Sequence, residues 1–430
     1  MSGGQAYRHG YFIEEVPTRW VTPALAEPSM PVAVGTAPVQ NLPDGVAAPV
    51  NEPRLIYNMS QFVAEFGGPL AGDNKEDYTL YQAAENYLAR YKVAPMVCIN
   101  VFDPAKHQVS QDDALKNDKL TVGAADPSKV LPKDIIGGVD SVTLKRTGLA
   151  LVDEVFPRFR LNPGQILAPK YSKDVPVARA VGAACTDISG LFRAIGIIEI
   201  ADEVTRHTDA PAWLNDNNLV NPNLQAMFGD CLNAGVREPG SIHWAGVTAA
   251  RDARDSSNVP YWSPSNFQLV CDGMVHANNI LYLTPAEAGN LNGQGICTGL
   301  NMIGGLRAWG DQTAAFPGNT DPKDAMIPIR RMFNWVGNTM IKTCWQFVSN
   351  PVNRRLIETV QDTVNVWLNG LVGRGFLLKG VCDFEMVDNP QGDLIAGTVR
   401  WHNYLTPPSA GRELIGILEY DPSGITTLYQ

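Results

Sequence analysis

The sequence predicts an α/β protein built on a mostly parallel sheet, followed by a smaller α+β part that begins near residue 320. Two nearly continuous apolar runs, residues 96–101 and 194–201, have the composition of strands that are covered on both faces. Helical patterns separate such runs, and strands that alternate with helices are typical of a parallel sheet. From residue 328 the pattern becomes predominantly helical, which indicates a second, smaller unit.

Residues 1–22 are predicted to form an extended N-terminal arm. Strand-forming residues dominate its centre, and the four that we expect to make contacts are Tyr11, Phe12, Ile13 and Val16. A strand this short at a chain end cannot be stable alone, so it must add to a sheet in this subunit or in another one.

A large α/β domain is predicted over residues 23–320. Its first strands are expected at residues 31–35 and 55–57, with a helix between Asn58 as its N-cap and the Gly67-Gly68 pair that stops it. A second helix follows Asp77.

The remainder of this domain begins with the polar residues 103–140, which lack a sustained period and predict a surface insertion. Strands are then expected at residues 165–168 and 242–245, and an alanine-rich helix at residues 176–186.

A C-terminal α+β domain is predicted over residues 321–405, and an extended C-terminal arm over residues 406–430. The domain contains an amphipathic helix whose apolar residues Leu356, Val360, Val364, Trp367 and Leu371 share one face. A strand at residues 398–405 follows it. The arm carries the apolar residues Leu414, Ile415, Ile417 and Leu418.

The composition argues against some classes of function. The chain has 34 basic and 44 acidic residues, a net charge of −10, which argues against direct nucleic-acid binding because that requires clustered Lys and Arg. The sequence contains no run of about 18 apolar residues, so it predicts no membrane span. The seven cysteines contain no CxxC pair, and we expect buried free thiols in a reducing compartment.

Catalytic motifs are missing from the sequence. It contains no GxxxxGK[ST], HExxH or GxSxG pattern. None of the six histidines stands at a metal-ligand spacing from another histidine or a cysteine. We therefore expect no enzyme activity, no metal and no cofactor, although a triad can also be assembled from distant positions.

The order of several segments resembles the tail sheath proteins of contractile-tailed phages and R-type tailocins. The matching pieces are the opening Tyr7-Arg8-His9-Gly10-Tyr11-Phe12-Ile13-Glu14-Glu15, the stretch Glu52-Pro53-Arg54-Leu55-Ile56-Tyr57, the strand Gln165-Ile166-Leu167-Ala168-Pro169, and the block Leu306-Arg307-Ala308-Trp309-Gly310-Asp311-Gln312-Thr313. No single piece is decisive, but their shared order extends over roughly 400 residues. Asp311-Gln312 departs from the usual Asn-Arg or Ala-Arg of the family.

The resemblance implies a subtilisin-like fold in the large domain, but without a triad. The chain lacks the Asp-Thr-Gly, His-Gly-Thr-His and Gly-Thr-Ser-Met-Ala sequences of subtilisins, and fold does not confer function. It also implies a six-fold helical sheath of hexameric rings that surrounds a tail tube and contracts to drive the tube through a bacterial envelope. The implied partners are the tube, baseplate and tail terminator proteins, with assembly in the host cytoplasm.

The arms of neighbouring subunits would pair with the small C-terminal domain, and Val399 and Trp401 are the candidate arm-accepting residues. Both arms could instead pack within their own subunit. Residues 18–28 and 406–411 are candidate flexible connectors. Tailocins, related contractile injection systems and an α/β hydrolase remain as alternative functions.

Charge is distributed unevenly along the C-terminal part. Residues 326–380 hold seven basic and two acidic residues, whereas residues 381–430 hold two basic and seven acidic residues. We expect Arg354, Arg355 and Lys379 to face the tube or an acidic neighbour, unless they belong to an ordinary solvated helix face.

Overall fold

The computed structural model describes residues 22–116, 121–255, 257–423 and 425. The strands in these ranges are β1 (Pro31–Gly35), β2 (Pro53–Ile56), β3 (Met96–Asn100), β4 (Gly138–Val139), β5 (Arg146–Thr147), β6 (Gln165–Leu167), β7 (Ile195–Glu199), β8 (Leu224–Phe228), β9 (Asp230–Asn233), β10 (Val236–Glu238), β11 (Gly273–His276), β12 (Asn279–Ile280), β13 (Ile296–Met302), β14 (Gly305–Trp309), β15 (Lys379–Asp383) and β16 (His402–Thr406).

The α-helices are α1 (Met59–Phe66), α2 (Thr79–Ala84), α3 (Gln111–Lys116), α4 (Pro132–Ile136), α5 (Val155–Phe159), α6 (Val175–Thr186), α7 (Ala210–Asp216), α8 (Gly240–Ala253), α9 (Pro285–Asn292), α10 (Pro322–Ala325), α11 (Ile327–Cys344), α12 (Arg354–Gly373) and α13 (Gln391–Ile395). A π-helical turn, Glu85–Arg90, extends α2, and short 3₁₀ turns connect several elements. None of the helices in these ranges is long and apolar enough to cross a bilayer.

The main sheet has eight strands in the order β14-β13-β8-β7-β6-β1-β3-β2. Its five inner pairings are parallel, whereas the outermost pairs β13–β14 and β2–β3 are antiparallel. Every residue of β1, β3, β7 and β8 is buried, as expected where both faces of a sheet are covered. The predicted mixed α/β architecture is thus confirmed.

Several predicted elements occur at their expected positions. Asn58 caps α1 by accepting a hydrogen bond from the Gln61 N–H, and the C-cap Gly67 has a φ of +81°. A Cβ at residue 67 would lie 2.4 Å from the Pro38 carbonyl oxygen, so both the backbone conformation and the space require glycine there.

The predicted strand at residues 242–245 is wrong, because these residues form the interior of α8. All ten residues from Gly240 to Ala249 are buried, so the helix has no polar face over that stretch. A short buried helix segment and a buried strand have the same apolar sequence pattern.

The stretch 103–140 is fixed to the body by a few apolar side chains. Val109, Val130 and Ile135 are buried among polar, exposed neighbours, and Ile135 belongs to the main hydrophobic core. This stretch includes α3, α4 and the short strand β4, which pairs with β5.

A second, smaller hydrophobic cluster joins α11, α12 and β15. Its members are Ala26, Val259, Met332, Trp335, Val336, Val364, Trp367, Leu368, Leu371, Phe376, Leu377 and Cys382. Ile327 of the same helix α11 belongs to the main core. Helix α11 therefore links the sheet to the C-terminal elements.

Candidate assembly surfaces

The predicted N-terminal arm residues Tyr11, Phe12, Ile13 and Val16 lie outside the described residues. The described part of the chain begins at residue 22, and the residues that follow lie against α11. The Ala24 and Ala26 N–H groups donate to the hydroxyls of Thr343 and Thr339, and Trp335 Nε1 donates to the Ala26 carbonyl, at 3.0 to 3.1 Å.

These bonds correct the expectation that residues 18–28 form a flexible connector. From Ala24 onward the segment is fixed to α11, because its backbone groups find side-chain partners and Ala26 packs into the smaller cluster. A flexible hinge for the arm would therefore have to precede Ala24.

The C-terminal segment, defined here as residues 411–421, contains no helix or strand and exposes its apolar side chains. Leu414, Ile415, Ile417 and Leu418 are 90%, 78%, 89% and 99% exposed. Burial of one such side chain stabilises a protein by about 1.5–3 kcal/mol. Contiguous apolar exposure of this kind is typical of a surface that is covered by a partner.

The antiparallel pair β15–β16 packs against α12, and α12 also covers the outer edge of β15. Asn365 Oδ1 accepts from the Cys382 N–H and Asn365 Nδ2 donates to the Cys382 carbonyl, both at 2.8 Å. Asn403 lies directly opposite Cys382 in the register. In an antiparallel pair, two opposed residues either bond to each other through their main-chain groups or both turn these groups away from the partner strand. The main-chain groups of Cys382 are turned towards Asn365, so the N–H and carbonyl of Asn403 point away from β15.

Strand β16 therefore has an open edge: in the described ranges it pairs with β15 and no other strand. Near this edge, Trp401 Nε1 and Asn403 Oδ1 are buried without a hydrogen-bond partner among the described residues. Buried polar groups are normally paired, so these two atoms mark a place where a further segment could bind.

The strand around the predicted arm-accepting residues is shorter than expected. It begins at His402, not at residue 398, so Val399 and Trp401 precede β16. Asn389 explains the difference, because its side chain bonds both the N–H and the carbonyl of Arg400 and holds the chain there in a loop. Trp401 is half-buried against the smaller cluster.

The predicted tube-facing residues do not form one patch. Arg354 and Arg355 are exposed in the first turn of α12, where Arg354 Nε lies 2.7 Å from Glu358 Oε1. Lys379 begins β15, which follows the other end of this helix, and its Nζ lies 5.9 Å from the centre of the Tyr404 ring. Twenty helical residues separate the two positions by roughly 30 Å.

The position of the arginines is electrostatically unusual. The first turn of α12 contains two cations and no acidic residue, although the amino end of a helix favours negative charge. An acidic group from another molecule would be stabilised here by both the side chains and the helix end.

Beside this turn, an open groove of about 580 Å³ lies between α12 and α13. Its apolar lining includes Val352, Ile357, Phe384, Leu394 and Ile395, and Arg354 stands at its wall. Apolar and cationic chemistry therefore meet at this end of the C-terminal elements.

Comparison with known proteins gives these surfaces a context. No protein-family model matches the chain. The chain is 27% identical over 453 residues to the tail sheath protein of Burkholderia phage BcepMu, and the match covers 88% of this chain and 90% of that protein. A Pseudomonas aeruginosa protein described as a prophage major tail sheath protein is 26% identical over 306 residues, with 67% and 73% of the two chains covered.

Over most of its length, the chain is similar to contractile tail sheath proteins. Solved structures agree in fold. A chain of the anti-feeding prophage baseplate matches with a TM-score of 0.65 at 16% identity, covering 97% of this chain and 99% of that one. A chain of the contracted sheath complex of the extracellular injection system PVC gives 0.65 at 16%, covering 98% and 100%.

The BcepMu and Pseudomonas aeruginosa relatives are both described as tail sheath proteins, which argues against the α/β hydrolase alternative. The surfaces that the described structure leaves available for assembly are the open edge of β16, the apolar C-terminal segment and the cationic first turn of α12. The sequence placed the arm-accepting residues at Val399 and Trp401, just before β16, but it could not locate the open edge, because an open edge depends on which strands pair.

Proposed function

We propose that this subunit polymerises through its arms into a six-fold helical sheath that surrounds a tail tube and contracts to drive the tube through a bacterial envelope. The supporting observation is the coexistence of the exposed C-terminal segment with the open edge of β16. Among the described residues, the segment exposes its apolar side chains and the strand edge has no second neighbour. The two are complementary, because β-augmentation pairs main-chain groups with little dependence on side chains.

In the proposed assembly, the C-terminal segment of one copy adds to the β16 edge of another. Leu414 to Leu418 would supply the strand, and Trp401 and Asn403 would lie at its acceptor. The N-terminal arm, with Tyr11, Phe12, Ile13 and Val16, would extend the same small sheet. Main-chain pairing of this kind can stay closed while the rest of each subunit rotates, which is what contraction requires.

We also propose a domain arrangement for the subunit. The large domain, residues 23–320, would have a subtilisin-like topology without a triad, and residues 321–405 would form the arm-pairing domain between arms 1–22 and 406–430. The anti-feeding prophage and PVC chains come from baseplate and sheath assemblies. A phage-tail role in genome delivery is favoured over a tailocin, because the BcepMu relative is a phage protein.

The tube, baseplate and terminator proteins are the proposed partners, with the subunit assembled in the host cytoplasm and retained in the virion tail. Arg354 and Arg355 would hold an acidic surface of the tube, whereas Lys379, at the far end of α12, would contact a neighbouring sheath subunit. The cations at the helix amino end support this assignment, because that end of a helix favours a nearby negative charge and its first turn contains no acidic residue.

Electron microscopy of the purified chain at high concentration tests the proposal. We expect hollow tubes with six-fold symmetry from the unmodified chain and monomers from the double variant Leu414→Asp/Ile417→Asp. The matched control is Val142→Asp/Leu144→Asp, which places the same charges on side chains that are 87% and 74% exposed in the β4–β5 hairpin. Tubes from the first variant, or loss of tubes from the control alone, would contradict the arm assignment.

The tube-facing arginines have a separate test. We expect the double variant Arg354→Glu/Arg355→Glu to form sheath tubes alone but to lose co-sedimentation with purified tube protein, whereas Lys379→Glu should retain it. Normal tube-filled tails from the double variant would show that the first turn of α12 does not face the tube.

A further inference from the structure

Cys231, His243 and Cys271 converge in the interior although they are distant in sequence. Their candidate ligand atoms, two sulfurs and a ring nitrogen, all lie within 4.8 Å of one another. Cys231 lies on β9 and His243 on α8, while Cys271 precedes β11. The antiparallel pairing of β9 with β11 places Met274 opposite Cys231, and Cys271 lies in the bend just before β11. Helix α8 packs beside β9.

The orientation of His243 suits a metal ligand. Its Nε2 lies 2.8 Å from Glu238 Oε2, and Arg90 and Asn86 donate to the same carboxylate. A carboxylate on one ring nitrogen fixes the proton there, so the lone pair of the other nitrogen, Nδ1, faces the Tyr91 hydroxyl, which itself accepts from the Val270 N–H. Histidines that bind metals have an outer partner such as Glu238 almost without exception.

Tyr91 offers a fourth ligand atom. Its hydroxyl oxygen lies 3.2 Å from His243 Nδ1. In a tetrahedral zinc site with bonds of about 2.0–2.1 Å, neighbouring nitrogen and oxygen ligands are separated by about 3.3 Å, so this spacing matches one edge of such a site.

Glycine at residue 246 makes the close approach of the ring possible. A Cβ at that position would lie 2.3 Å from the Tyr91 ring. The tyrosine can therefore lie directly against α8, the helix that carries His243.

We propose that Cys231, Cys271, His243 and Tyr91 form a structural zinc site. A ligand set of two sulfurs and an imidazole nitrogen favours Zn²⁺ over Mg²⁺ or Ca²⁺. On binding, the two thiols and the Tyr91 hydroxyl each release a proton to solvent, and the two thiolates, the phenolate and the neutral imidazole coordinate the ion. Four protein ligands leave no open position, so the ion would fasten α8 to the small sheet β10-β9-β11-β12 and perform no chemistry.

Cys271 gives the ion a route to the site, because it is half-buried while Cys231 and His243 are fully buried. Cys344 is likewise half-buried but packs against the smaller cluster, away from the site. It therefore provides a matched control for the replacement of Cys271.

The test measures zinc in the full chain, purified from zinc-supplemented cells and desalted, by elemental mass spectrometry. We expect about one zinc ion per chain in the unmodified protein and in Cys344→Ser, and at least a tenfold loss in Cys231→Ser and Cys271→Ser. Zinc below a tenth of an ion per chain in the unmodified protein, or equal zinc in all four, would overturn the proposal.

A second measurement avoids the folding of variants. Addition of Co²⁺ to the unmodified, metal-stripped chain should produce thiolate-to-cobalt charge-transfer absorption that one equivalent saturates, and zinc should abolish it. Absence of that absorption would equally overturn the proposal. Tube formation by the unmodified chain is a separate readout, so the sheath proposal and the zinc proposal can fail independently.

Discussion

The strands at the centre of the main sheet and the strands near the carboxyl end of the chain satisfy their bonding in opposite ways. Strand β7 has parallel neighbours on both sides, and Ile198 at its centre is completely buried. Strand β16 has one neighbour among the described strands, and Leu418 beyond it is 99% exposed. The first region is complete within the described residues, whereas the second leaves an edge that we propose another molecule covers. In a sheath subunit, the incomplete region is the one that we expect to carry assembly.

Buried charge in the first region should give the largest loss of stability. Asp252 of α8 accepts from both Arg331 of α11 and Ser29, and Asp252 and Arg331 are buried. The substitution Asp252→Ala leaves a buried arginine without its partner, which costs about 3–5 kcal/mol. Urea unfolding should show this loss.

The control for that measurement is Arg158→Ala, which removes the half-exposed Arg158–Glu154 ion pair and should change the free energy of unfolding by less than about 1 kcal/mol. Equal effects of the two substitutions would mean that the link between α8 and α11 does not stabilise the sheet region.

Glu199, at the carboxyl end of β7, should make the stability of this region depend on pH. Burial, together with the negative charge of Asp230, raises the pKa of Glu199 from 4.5 to about 7. Because the folded-state pKa is the higher one, the stability that the protonated form contributes is complete below pH 4.5 and is lost as the pH rises through 7. Each unit of pKa difference corresponds to about 1.4 kcal/mol.

Urea midpoints at pH 5 and pH 8 measure this dependence. Between pH 5 and pH 8, the unmodified chain should lose more stability than Glu199→Gln, because glutamine cannot ionise. Glu358→Gln, at a half-exposed carboxylate, is the control and should leave the pH dependence unchanged. An identical pH dependence in all three chains would contradict the burial argument.

The smallest effect on the isolated chain should come from Asn365→Ala, which removes both side-chain bonds to Cys382. At about 0.5–1.5 kcal/mol for each hydrogen bond, the loss of stability should be modest. The substitution also opens the outer edge of β15, so amide hydrogen exchange of residues 379–383 should increase. Unchanged exchange there would show that Asn365 does not protect this edge.

Sequence reasoning predicted the parts of the fold that local patterns determine. Two predictions that depend only on neighbouring residues are confirmed. They are the helix cap formed by Asn58 and Gln61, and the apolar helix face that contains Val364 and Leu371. It failed where burial removes the pattern, as in α8, and where side chains from distant positions decide the backbone, as Asn389 does at Arg400.

The candidate assembly site was predictable only in part. The exposed side chains Leu414 to Leu418 were expected from their composition, because an apolar run after a proline-rich stretch has no local partner. The open edge of β16 was not, because Asn365 and Cys382 meet only in the folded chain. Cys231 and Cys271 likewise come together only in the folded chain.

The most direct test of the account is a cryo-electron microscopy map of the tubes, detailed enough to trace residues 402–421. The account predicts that Leu414 to Leu418 of one subunit form a strand on the β16 edge of a neighbouring subunit, with Trp401 and Asn403 covered. A map in which that edge stays open to solvent, or in which the segment folds back onto its own subunit, would contradict it.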